Sequence, residues 1–118
     1  MNKLITVILG LLLSSACYAS GNWVKIMENG DAVLFLDKGS ITQTQVEHVK
    51  RAELIFNNKK NAYSTVTVYE INCKSKQDHR VKISDYEKAD AQGKLLGSQV
   101  INEPLEPADQ RAVDLICH

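Results

Sequence analysis

The chain has 118 residues, 14 Lys and Arg against 14 Asp and Glu, 44% hydrophobic side chains, three cysteines and one tryptophan. That length suits one domain and leaves no room for an enzyme with a separate cofactor domain. Zero net charge lacks the basic excess expected of a nucleic-acid binder, and the apolar runs argue against wholesale disorder.

Residues 1–19, MNKLITVILGLLLSSACYA, read as a secretory signal peptide. Lys3 supplies the positive start, Leu4 to Leu13 the apolar core, and Ser14, Ser15 and Ala16 the small-residue approach to cleavage. The core is about half the length a membrane span requires. Cleavage after Ala19 places Cys17 and Ala19 at the two positions that must be small. The competing reading makes Cys17 the lipidated first residue of a lipoprotein, although Ser14 stands where a lipobox usually carries a large aliphatic residue. The expected product is a domain over 20–118, exported to the periplasm or outer-membrane surface and without a transmembrane segment. It is tethered by lipid only if Cys17 is modified.

Processing at Ala19 leaves 99 residues and removes Lys3 alone among the charged side chains, for a net charge of −1. Two cysteines remain, Cys73 and Cys117, and an even count in an exported chain predicts a structural disulfide. His48, His79 and His118 show no ligand spacing with one another or with the cysteines, so no metal is expected.

Strand signals dominate the rest. Asn22 to Met27 is a short strand ending in the turn residues Glu28 to Asp31, and Ala32 to Leu36 is a buried strand closed by Asp37, Lys38 and Gly39. Gln45 to Phe56 has imperfect phase, which leaves a bulge or a helical turn near Lys50 open. The polar run Asn57 to Asn61 predicts a hairpin loop, and Tyr63 to Cys73 is the clearest strand, with Tyr69, Ile71 and Cys73 on one face. Arg80 to Glu87 sets Val81, Ile83 and Asp85 against Lys82, Ser84 and Tyr86. Ala91 to Gly93 turns into a last strand, Leu95 to Ile101. Beyond Pro104, Pro107 suits the first position of a helix whose stripe is Ala108, Ala112, Leu115 and Ile116, with Asp109 in its first turn. The fold class is α+β: an antiparallel sheet of about six strands, one C-terminal helix packed on it, and one disulfide.

This order of features resembles the surface-adhesin protein E family, over nearly all of residues 22–117. The residues that carry the likeness are Trp23 in NWVKI; Phe35, Asp37, Ser40 and Ile41 in VLFLDKGSI; and Tyr69, Glu70, Cys73, Lys74, Arg80 and Tyr86 in YEINCKSKQDHRVKISDY. The stretch from Pro107 to Cys117 completes it. Asn102 to Pro107 stands where the family commonly has an aromatic and a Pro-Gly-Ser turn. The resemblance implies a six-stranded antiparallel sheet, a C-terminal helix, a disulfide, and binding of host extracellular-matrix or plasma glycoproteins.

For such contacts the candidate patch is Lys50, Arg51, Lys59 and Lys60, with Lys74, Lys76, Arg80 and Lys82 as a second basic cluster. The plainer reading of both is a solvated hairpin tip and edge protection by lysines. No strained nucleophile turn, phosphate loop or metal pair is present, so neither an enzyme nor a cofactor is expected. Ser40 reads as a turn hydroxyl, and His48 and His79 as exposed. A periplasmic housekeeping protein or hydrolase inhibitor is the competing function.

Overall fold

The backbone of residues 22–118, described in a computed structural model, runs back and forth through six neighbouring strands. The signal-peptide reading of 1–19 and both fates of Cys17 lie outside these residues. The strands are β1 (Trp23–Asn29), β2 (Ala32–Gln43), β3 (Val49–Asn58), β4 (Tyr63–Asn72), β5 (Gln77–Lys88) and β6 (Gln92–Val100), each antiparallel to the next. A two-residue strand, β7 (Glu106–Pro107), pairs with the start of β5. One helix, α1 (Gln110–Cys117), closes the chain. The expected class holds, with β7 as an addition.

Two hairpins share one local device. Asn58 ends β3, and its side-chain Oδ1 accepts from the amides of Lys60 and Asn61, both at 3.0 Å. Asn72 ends β4 and accepts in the same way from Lys74 and Ser75. Four residues after each Asn, Ala62 (φ 54°) and Lys76 (φ 59°) turn left-handed, and each donates its amide to that Asn's carbonyl. An Asx turn at a strand end thus sets both reversals.

Elsewhere the boundaries move, each for a physical reason. β2 continues through Asp37–Gly39 to Gln43, because Ser40 bridges the irregular stretch. Its hydroxyl donates to Asp37 O at 2.6 Å and accepts the Glu53 amide at 2.7 Å, standing in for a ladder carbonyl. β3 begins only at Val49. The preceding loop is held by Gln43, whose Nε2 donates to the carbonyls of Thr44, Val46 and Val49, and His48 sits at φ 67°. Pro107 does not start the helix. It lies in β7 opposite Gln77, and Asp109 is the N-cap, accepting from Ala112 N at 3.3 Å.

Alternation along the strands assigns the two faces. Leu34, Leu36, Ala52, Leu54, Tyr69 and Ile71 face α1, which buries Ala112, Val113 and Ile116 against them. Cys73 joins this packing and bridges to Cys117 across a sequence separation of 44. The opposite face carries no α-helix among the described residues. A row of Phe35, Ile55 and Val66 runs across it, and Trp23 packs on Phe35 with ring centroids 5.8 Å apart.

Two polar anchors complete the frame. Ser64, fully buried, donates to Lys88 O and accepts the Ala91 amide, while Asn57 exchanges two hydrogen bonds with Asp90. Together they hold the 3₁₀ turn Ala89–Ala91, in which Asp90 and Ala91 are both left-handed. At the other end, Arg80 grips Glu103 through its amide, Nε and Nη2, pinning the segment after β6 to β5.

Two stability outcomes follow. Reducing the bridge, or replacing Cys117→Ser, should cost roughly 4 kcal/mol on loop-entropy grounds, read from urea unfolding of oxidised and reduced protein. Ser64→Ala strands the Lys88 carbonyl and Ala91 amide and should cost about 1–3 kcal/mol in the same measurement.

Candidate functional site

The four residues read as one basic patch occupy opposite ends of β3. Lys50 and Lys59 are nine positions apart, roughly 30 Å along an extended strand. Lys50 Nζ lies 3.4 Å from Ile116 O, at the carboxyl end of α1, where a cation is favoured. Arg51 donates to Glu70 at 2.6 Å, and Lys59 pairs with Glu28. Hydrogen bonds from Lys25 and Lys59 pull the Glu28 carboxyl down to about 2. Lys60, at the hairpin tip, is exposed and makes no ion pair among the described residues.

The second cluster also separates. Arg80 is bound to Glu103, and Lys82 projects from the helix-free face. Lys74 and Lys76 lie exposed in the β4–β5 turn. That turn sits beside Lys50, since Lys50 pairs with Ile71 and the Cys73 amide donates to His48 O. The fold therefore brings members of the two clusters together at the disulfide end. A cleft of about 530 Å³ opens there, lined by Gln43, Thr44, Glu47, His48, Lys50 and the bridge. His79 is not exposed as expected. It is half-buried, with Nδ1 3.0 Å from Glu103 O and Nε2 3.5 Å from Glu70.

The helix-free face holds a second cleft of about 500 Å³, reaching from Trp23 past Ile55 to Tyr86 and the 3₁₀ turn. It is bordered by Asp37 and Glu53, directly opposed across β2 and β3, and by Lys82. Next to it runs an edge that no local sequence signal singles out. Every residue of β6 is exposed, including Leu95, Leu96 (60%) and Val100 (84%), and Leu105 follows at 46%. Adjacent strand residues point to opposite faces. Leu95 and Leu96 can both be exposed only where neither face is covered. Ile101 donates its amide to Val81 O, so alternation turns the amides of Val100 and Ser98 toward solvent. Lys94 is the one charged residue on this strand, sparse protection for an open edge.

Among the described residues no group of three His, Cys, Asp or Glu side chains could hold a metal ion. Among the described residues, also, no helix is long and apolar enough to cross a membrane.

The family model described as Surface-adhesin protein E matches residues 23–118. No curated protein and no solved structure matches the chain.

The Glu70 site gives a pH signature. The Arg51 hydrogen bond, aided by His79, holds the Glu70 carboxyl below its ordinary value against the opposing effect of burial. A lowered folded-state value stabilises fully above the ordinary carboxylate range, and that contribution fades as pH falls through the lowered value. Glu70→Gln should therefore lose up to about 1 kcal/mol at neutral pH and flatten the acid limb of a melting-temperature profile.

Proposed function

The chain belongs to the surface-adhesin protein E family, and we propose that it acts as an exported cell-envelope protein that binds host extracellular-matrix or plasma glycoproteins by surface contact. The observation that carries this reading is the uncovered β6 edge and helix-free face. Leu95, Leu96, Val100 and Leu105 are four large apolar side chains exposed along or just beyond one sheet edge, with Leu95 and Leu96 on opposite faces of it, and apolar surface exposed in this way marks a macromolecular contact. Free backbone groups along β6 offer an extended partner segment a ladder to join. Lys60 at one end of the sheet, and Lys50, Lys74 and Lys76 at the other, supply positive charge for acidic glycans and steer encounter. Lys59 and Arg51, already paired with carboxylates, contribute less.

The test is binding of the purified oxidised protein to immobilised laminin, vitronectin and plasminogen. Saturable binding is expected, weakening several-fold between about 0.05 and about 0.5 M salt as exposed charges are screened. Leu96→Glu should abolish it, and Lys74→Glu with Lys76→Glu should slow association. Absence of binding to all three, or binding indifferent to every one of these changes, refutes the adhesive reading.

A further inference from the structure

On the helix-bearing face, beside α1, a pocket of about 100 Å³ runs diagonally across the strands from Met27 on β1 to Asp78 on β5. Its deep wall is apolar, formed by Leu54, Ile71 and Ile116, all at least nine-tenths buried. Its β1 end is equally apolar, lined by Met27 and Leu34. Its β5 end is different. There Tyr69, Asp78 and Asp109 stand together.

The two carboxylates are not equivalent. Asp109 caps α1 through one oxygen, Oδ2. Asp78 accepts no side-chain hydrogen bond and pairs with no cation among the described residues, although it is only partly exposed. Burial first, then the charges of Glu103, Glu106 and Asp109, push its carboxyl above the ordinary value, with His79 opposing. The guanidinium of Arg80, two residues along β5, is committed to Glu103, and Lys76, two residues before Asp78, is exposed and pairs with no carboxylate among the described residues. A positive group in this pocket would gain both an unpaired carboxylate and relief of local repulsion.

Shape narrows the occupant. A cavity of roughly 150 Å³ lined by aliphatic and aromatic side chains holds benzene, so about 100 Å³ suits a slim unbranched stem and not a ring. A groove that is aliphatic along its length and acidic at one end complements a four-carbon stem ending in an ammonium, the amphipathic form of lysine. We propose that this pocket receives a lysine side chain presented by a partner protein, with the stem on Leu34, Leu54 and Ile116 and the ammonium between Asp78 and Asp109. This assignment is independent of the adhesive reading, since it concerns the helix-bearing face and does not involve the β6 edge or the exposed lysines.

The probe is Nα-acetyl-lysine methylamide, titrated into the oxidised full-length protein while methyl resonances are followed by NMR. Saturable shifts confined to Leu34, Leu54, Ile71 and Ile116 are expected. The uncharged norleucine analogue and the variant Asp78→Asn should each weaken binding at least tenfold. Asp78→Asn is a clean variant because its carboxylate is already disfavoured by burial, so its melting temperature at neutral pH should equal or exceed that of the unaltered protein. Asp109→Asn provides a second test, since Asn also caps helices, and should weaken binding while leaving the fold intact. Shifts scattered over surface carboxylates overturn the proposal. So does affinity unchanged by both variants, or binding of n-butylamine with exclusion of the lysine amide, which would make this a free-amine pocket closed to a protein side chain.

Discussion

The fold depends on how a single sheet obtains a second layer. A helix of eight residues is not stable alone in water, yet α1 supplies Ala112, Val113 and Ile116, three of the nine buried hydrophobic residues among those described. It stays in place because both ends are tied. Cys117 is bonded to Cys73 and the Ile116 carbonyl faces Lys50 at one end. At the other, the Ala108 amide donates to Lys76 O, and Asp109 caps the first turn. Arg111 adds a reach to Lys25 O on β1. The bridge raises the effective concentration of a helix whose own apolar area could not hold it there.

That arrangement has a consequence for surface chemistry. Among the described residues α1 covers part of one face, and the 3₁₀ turn Ala89–Ala91 borders one end of the other, so much of both faces is left open. The helix-free face is not bare, because Trp23, Phe35, Ile55 and Val66 pack among themselves and shield Ile55 to 3% exposure. At β6 that cover stops, and leucines enter solvent. Basic residues gather at the two ends of the sheet, while carboxylates collect beside the N-cap of α1. The β4–β5 turn borders both groups, since Lys76 O accepts the Ala108 amide beside that N-cap.

Much of this was legible in the sequence because the signals were local. Dense β-branched and aromatic residues marked the strand from Tyr63 to Cys73, the stripe Ala108, Ala112, Leu115 and Ile116 marked the helix, and the even pair of cysteines left by the signal-peptide reading marked the bridge. What escaped was non-local. Ser40 prolongs β2 by accepting an amide thirteen residues away, and Asn57, read as loop, is buried because it binds Asp90 across 33 residues. Adjacency along the chain suggested a Lys50–Lys60 patch, but the length of β3 parts its members, while the register with β4 sets Lys50 beside Lys74 and Lys76. The exposure of β6 followed from its place as last strand, which no composition of Leu95 and Leu96 could disclose.

Native-state hydrogen exchange on oxidised and reduced protein tests the tethered helix most directly. With the bridge intact, the amides of Val113 to Cys117 are expected to open only with those of Leu54 and Ile71, in one cooperative unit. On reduction the helical amides should lose protection at least a hundredfold more than the central strands. Helical protection that falls only in step with the strands, or not at all, would contradict the claim that the disulfide holds the second layer on the sheet.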